Sequence, residues 1–318
     1  MSIFLVIFMY ATWSSVFSLG KMALQYSPPF FLTGFRMALG GIILLLYLAL
    51  AKRSAFKLDK KQCLSILLLA FFSIYLTNVL EFWGLQYLNA AKTCFIYSLS
   101  PFFTVFFSYL HFKEKMNRSK WLGLGIGFIG FLPALFTQTG SEELLNITSF
   151  LSWPTLAVIG AVLCSVYGWI LLRLLVKDQT TSPLMANASS MLIGGLMAFC
   201  HSYFIETWNP IPVAEGSFGV FFKSTLIIIL VSNIVCYNLY GMMLKRFTAT
   251  FLSIMGLLSP IFASLHEWIF LNEPPSWIIF ASTTMVCFGL WIVYKAELKQ
   301  GYITPKDKGL QPIPSESN

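Results

Sequence analysis

Charge is what this 318-residue sequence has least of: 11% of its side chains are Asp, Glu, Lys or Arg, against roughly 25% in an ordinary soluble domain. So few charges cannot cover a water-facing surface, which excludes a soluble globular protein. Histidine is scarce too, with three in the chain. The six cysteines, at 63, 94, 164, 200, 236 and 287, stand far apart without a C-x-x-C. They read as small apolar packing residues, not as a disulfide framework or zinc site. No G-x-x-x-x-G-K-[ST] occurs, so the chain has no phosphate loop with which to hydrolyse ATP. His266 and Glu267 begin an H-E-x-x-H, but Phe270 stands where the second histidine belongs. Gly125, Gly127 and Gly130 spell G-x-G-x-x-G inside an apolar run with no strand before it, and Gly123 with Gly127 reads as helix packing instead. No metal or cofactor is expected.

Apolar length is what the sequence has. Hydrophobic residues make up 57% of it, and mean hydropathy is +0.74. Ten windows approach the roughly 20 apolar residues that cross a hydrocarbon core. They lie near 2–20, 30–50, 64–87, 92–112, 120–138, 153–174, 183–205, 221–243, 249–271 and 276–295. The first starts almost at Met1, with no basic stretch before it, and is expected to be a retained helix and not a signal peptide.

Of the 21 lysines and arginines, 17 fall on one side if the N-terminus, the even-numbered loops and the tail are placed together. Only Lys21, Lys92 and Lys223 fall opposite. That bias predicts both termini in the cytoplasm and a cell (inner) membrane location. It also accounts for the net charge of +8 without a nucleic-acid partner.

The sequence repeats itself. "PFFLTGFRMALGG" (29–41) aligns on "PLMANASSMLIGG" (183–195) at an offset of 154. "SLSPFFTVFFSYLHFKE" (98–114) aligns on "LLSPIFASLHEWIFLNE" (257–273) at an offset of 159. Matched proline, paired glycines and glutamate in the same order argue for duplication. Five spans per half is an odd number, so the second half enters the membrane from the opposite side. The expected division is 1–138, an outer linker at 139–152, a second repeat at 153–297, and a polar, proline-rich, disordered tail at 298–318.

With "GLQYLNAAKTCFIYSLSPFFTVFFSYLHFKE" and its partner "LKRFTATFLSIMGLLSPIFASLHEWIFLNE", the sequence resembles the drug/metabolite transporter superfamily, EamA type, up to about residue 297. The resemblance implies an all-α membrane protein, two inverted five-helix repeats, and transport by alternating access. Members of the family move amino acids, nucleotide sugars, organic cations and, in some obligate intracellular bacteria, S-adenosylmethionine. The family's W-G near the start of span 1 appears here as Trp13-Ser14.

Pro101 and Pro260 read as interior to helices, where each would free the carbonyl four residues earlier, at Tyr97 and Gly256. Such carbonyls either pack in a kink or line a cavity, and the resemblance implies the cavity. Four ionisable residues lie within spans: Arg36, Glu81, His266 and Glu267. Placing one at the bilayer centre costs roughly 2.5–3.5 kcal/mol, so each must face protein or water. Counting helical rise puts Arg36, Glu81 and Glu267 roughly 8–10 Å beneath the outer surface, in one layer. Arg36 can neutralise one carboxylate and tie helices together; the other then needs a proton, His266 or a cationic ligand. Glu267 is the favoured ligand group. Asn78 lies one turn from Glu81, and the spacing of "EFWG" (81–84) and "NLYG" (238–241) pairs Asn238 with Glu81. Trp13, Trp83 and Tyr97 are candidates to stack a planar ring or hold a cation. The favoured substrate is a zwitterionic or cationic nitrogenous metabolite such as S-adenosylmethionine. The alternatives are an amino acid or drug/metabolite exporter and, more distantly, a channel or an intramembrane enzyme.

Overall fold

The computed structural model describes residues 2–56, 58–88, 93, 96–139, 152–177, 181–259, 261–262, 265 and 277–301. Among these residues the regular elements are all helical. Helix α1 (Ser2–Trp13) breaks at Ser14 and resumes as α2 (Ser15–Ala23). Helix α3 (Pro29–Ala51) opens on a proline whose fixed φ suits a first turn. Helix α4 (Lys60–Leu69) starts from an Asp59/Gln62 capping box. It passes through a π-helical stretch, Ala70–Leu76, into α5 (Thr77–Tyr87). Then come α6 (Ser100–Phe112), α7 (Arg118–Thr139), α8 (Trp153–Lys177) and α9 (Pro183–Ile205). Helix α10 (Phe218–Ile228) runs through a second π stretch, Ile229–Cys236, into α11 (Tyr237–Met243). Helix α12 (Ala249–Met255) tightens to 3-10 over Gly256–Leu258, and α13 is Trp277–Lys299.

Among the described residues, six helical stretches are long and apolar enough to cross a membrane: Ile3–Ala23, Pro29–Ala51, Lys60–Tyr87, Trp153–Val176, Pro183–Ile205 and Phe218–Met243. Their outward faces carry large apolar side chains in the open, Phe4, Leu50, Phe204 and Trp153 among them. Exposed apolar surface on this scale needs lipid against it. The chain is a multi-pass membrane protein.

Among the close backbone approaches, two helix pairs meet reciprocally. A Cβ on Gly41 would lie 2.6 Å from the Leu192 nitrogen, and one on Gly195 would lie 2.4 Å from the Ala38 nitrogen. Gly41 and Gly195 stand 154 residues apart, and so do Ala38 and Leu192, so the α3–α9 contact is reciprocal. Helices α7 and α13 repeat the arrangement. A Cβ on Gly130 would meet the Val286 nitrogen at 3.2 Å, and one on Gly289 the Gly127 nitrogen at 2.7 Å. Both pairs here are related by 159 residues. Small residues permit this proximity, which in lipid is a main source of helix association.

The π stretches each deliver an asparagine. Asn78 Nδ2 donates to the carbonyls of Ile74 at 2.7 Å and Ser73 at 3.2 Å. Asn238 Nδ2 donates to those of Ile234 at 2.9 Å and Asn233 at 3.3 Å. Wide turns free carbonyls that an amide can take up. Asn238 therefore reproduces Asn78. The spacing match that pairs it with Glu81 is corrected, because hydrogen bonding to the preceding turn, and not a four-residue pattern, fixes the equivalence.

Pro101 also departs from expectation. The segment breaks at Ser98 and Leu99, and Pro101 is buried in the first turn of α6. Its missing N–H falls where a helix has no intrahelical partner to lose, so it begins a helix and does not kink one. Pro260 lies outside the described residues.

At one end of the bundle lies a buried ionic cluster. Lys113 adopts a left-handed conformation (φ 55°) just past α6, turning Glu114 inward. Glu114 Oε1 meets Arg173 Nη1 of α8 at 2.5 Å, and Lys120 of α7 meets Glu297 of α13 at 3.0 Å. Thr248 Oγ1 reaches both Glu297 oxygens at 2.7 and 2.8 Å. All four charged side chains are at most 6% exposed.

Candidate functional site

A cavity enclosing about 1040 Å³ of empty space, part of it open to solvent, lies between the helices. Helical periodicity explains who lines it. Thr77, Asn78 and Glu81 share one face of α5, Val162, Ser165, Val166 and Trp169 one stripe of α8, and Tyr237 and Tyr240 one of α11. Arg36 enters from α3, and Trp13, Ser14 and Phe17 from the break between α1 and α2.

The two charges are held apart by different partners. Arg36 Nη2 donates a short hydrogen bond to Asn78 Oδ1, and its guanidinium lies over the Phe82 ring at 4.4 Å. Asn78 is fixed for this task, since its Nδ2 is committed to the Ile74 and Ser73 carbonyls. Glu81 Oε2 accepts from the Tyr97 hydroxyl at 2.5 Å. The expected bridge from Arg36 to a carboxylate is thus replaced, among the described residues, by an amide contact.

Five rings form one wall. Trp169 and Tyr240 lie 4.1 Å apart between centroids, Trp13 and Tyr237 5.5 Å, and Trp13 meets Trp169 edge-on at 5.9 Å. Tyr10 stacks on Trp13 at 6.4 Å and donates its hydroxyl to the Leu252 carbonyl at 2.6 Å.

Arg36, Asn78, Glu81, Tyr97, Trp13 and Gly256 all line this cavity, so most of the anticipated residues meet in one place. Gly256 does so from the 3-10 turn that ends α12. Trp83 is not brought to it. It lies two residues from Glu81, about 200° around the helix, and packs against the Phe30, Val79 and Ala198 cluster. Asn238 is not a lining residue either: behind Tyr237, its Oδ1 accepts from Asn187 Nδ2 at 3.2 Å, tying α11 to α9. Pro101 is likewise absent from the lining. His266 and Glu267 lie outside the described residues, so the favoured carboxylate has no geometry to report.

The model of the EamA-like transporter family matches residues 1–136 and 152–295. The chain belongs to the EamA-like transporter family. It is 40% identical over 305 residues to the S-adenosylmethionine/S-adenosylhomocysteine transporter of Chlamydia muridarum, covering 95% of this chain and 94% of the relative. It is 39% identical to the protein of the same name from Chlamydia trachomatis serovar L2, covering 95% and 92%. A solved crystal structure superposes with a TM-score of 0.74 at 15% identity, over 93% of this chain and 97% of that one, and so shares the fold. The EamA chain is a transporter, and the enzyme alternative falls.

Sequence reasoning missed Tyr10 and Tyr240, and it missed the serines of this EamA cavity: Ser14, Ser98, Ser100, Ser165, Ser232, Ser253 and Ser259.

Proposed function

We propose that this chain exchanges S-adenosylmethionine for S-adenosylhomocysteine by alternating access, as the names of its chlamydial relatives suggest. The observation that carries the reading is the pairing inside the cavity. Glu81 is hydrogen-bonded by Tyr97 and forms no ion pair among the described residues, while Arg36 is engaged by Asn78. A carboxylate that forms no ion pair among the described residues, beside a wall of aromatic rings, suits a sulfonium or ammonium group attached to a planar base. An aliphatic amino acid, within the alternative substrate class, would leave Trp169, Tyr237 and Tyr240 without a ring to meet.

The moving parts are two inverted five-helix repeats, residues 1–138 and 153–297, joined by the linker at 139–152. The reciprocal contacts of Gly41 with Leu192 and Gly195 with Ala38, and of Gly130 with Val286 and Gly289 with Gly127, support a two-fold relation between them. So do the matched hydrogen bonds of Asn78 and Asn238. Ten spans, both termini in the cytoplasm and an inner-membrane location follow from the basic residues. In that orientation the Glu114–Arg173 and Lys120–Glu297 pairs, each joining one repeat to the other, close the cytoplasmic end and must part for the cavity to open there.

The test is counterflow in liposomes containing the purified protein. Uptake of labelled S-adenosylmethionine should saturate and should require internal S-adenosylmethionine or S-adenosylhomocysteine. No uptake by folded protein would remove the substrate assignment. Uptake indifferent to internal substrate would favour a channel.

A further inference from the structure

Arg36 is the strangest residue in the cavity. It is 2% exposed, it forms no ion pair among the described residues, and its Nε has no hydrogen-bond partner. One nitrogen, Nη2, is held by Asn78, and the guanidinium face is covered by Phe82 at 4.4 Å. A guanidinium has five donors arranged to grip a planar anion with two parallel bonds. Asn78 supplies a single oxygen, and it is neutral. Arg36 is thus a buried cation with a fixed orientation and an unused donor, in electrostatic reach of Glu81 but not ion-paired with it.

We infer that Arg36 is a carboxylate-recognition subsite, and that the transported molecule must carry a carboxylate as well as a cation. The inference rests on the transporter reading above and narrows its substrate class to zwitterionic amino acids bearing a ring.

The chemistry of the surroundings selects a carboxylate. Arg36 is the one arginine or lysine in the cavity lining among the described residues, so a doubly charged phosphate would find a single cation among them. It would also face Glu81, which shares the cavity and repels anions. A carboxylate carries one charge and two oxygens, matching the fork. A molecule with both signs of charge answers both residues: its carboxylate to Arg36, its sulfonium or ammonium to Glu81. Asn78 then acts as a positioning residue. Its amide is pinned at 2.7 Å to the Ile74 carbonyl, so it can only offer oxygen to Arg36, and it holds the fork in place.

The experiment is competition against labelled S-adenosylmethionine uptake in liposomes, using S-adenosylmethionine and its decarboxylated counterpart, with wild-type protein and with Arg36→Gln. Losing a hydrogen-bonded contact to a charged group should weaken binding about 10- to 100-fold. Wild type should therefore bind the decarboxylated compound that much more weakly. Arg36→Gln should lose affinity for S-adenosylmethionine while its weak binding of the decarboxylated compound stays unchanged, measured directly as uptake of that compound. Equal competition by both compounds at wild type overturns the inference alone, and needs no variant to fold. Equal weakening of both compounds by Arg36→Gln, in protein with an unaltered melting temperature, overturns it too. Uptake of neither compound by folded wild type would overturn the underlying transporter assignment, and this inference with it.

Discussion

Tyr97 and Glu81 are joined by a 2.5 Å hydrogen bond inside the cavity, the hydroxyl donating to the carboxylate. This bond orients the carboxylate that lines the cavity among the described residues. Tyr97→Phe leaves the ring and removes the donor. A hydrogen bond to a charged group contributes about 1.5–3 kcal/mol, so uptake of S-adenosylmethionine should need roughly 10- to 100-fold more substrate for half-saturation. Glu81→Gln should weaken the cationic substrate more than neutral S-adenosylhomocysteine. Equal losses for the two would mean that Glu81 does not meet the sulfonium.

The aromatic wall makes a sharper distinction. Trp169 lies 4.1 Å from Tyr240 in the cavity, whereas Trp83 packs outside it. Stacking a base on an aromatic side chain contributes about 1–3 kcal/mol. Trp169→Ala should reduce apparent affinity roughly 5- to 100-fold, and Trp83→Leu should leave it within about twofold. Concentration dependence of initial uptake measures both. A large effect at Trp83 would place substrate elsewhere.

Much of this was readable before any coordinates. Scarcity made Arg36 and Glu81 conspicuous, because a charge in an apolar span must answer to something, and the paired glycines marked the repeat whose two copies the structure brings together at the α3–α9 crossing. Trp83 misled because an aromatic residue beside a charge looks like its neighbour, although two helical steps turn it away. Asn238 misled because a short spacing match ignores which carbonyls a π turn releases. Glu114 was visible only as the matched glutamate of the repeat, since its burial depends on Arg173, far away in sequence and adjacent only after folding. The serines were invisible for a simpler reason: a serine hydroxyl in a span satisfies itself on its own backbone, as Ser14 does on the Ala11 carbonyl at 2.8 Å, so its type alone does not reveal a cavity.

The ionic cluster predicts a rescue. Arg173→Gln strands Glu114 without a cation, and breaking a buried pair costs about 3–5 kcal/mol. The melting temperature in detergent should fall accordingly. Exchanging the two residues, Glu114→Arg with Arg173→Glu, should recover part of the loss. A swap no better than the single change would mean that the pair contributes little beyond its packing on Phe112, over whose ring Arg173 lies at 4.3 Å.

Gly41 and Gly125 give a controlled comparison. A Cβ on Gly41 would strike the α9 backbone, whereas one on Gly125 would meet nothing within 4 Å. Overpacking a tight contact costs roughly 1–3 kcal/mol or more. Gly41→Val should lower the yield of folded protein and its melting temperature. Gly125→Val should leave both unchanged.

The two glycine crossings also limit how the protein can change shape. Helices whose backbones touch have no layer of side chains between them to repack, so they cannot slide past one another without collision. They can still turn about the point of contact. Gly41 against Leu192 and Gly130 against Val286 therefore act as fulcrums. Small angular changes there become larger displacements at the helix ends, where on α7 and α13 Lys120 and Glu297 sit. The residues that move least would then be those that make the movement possible.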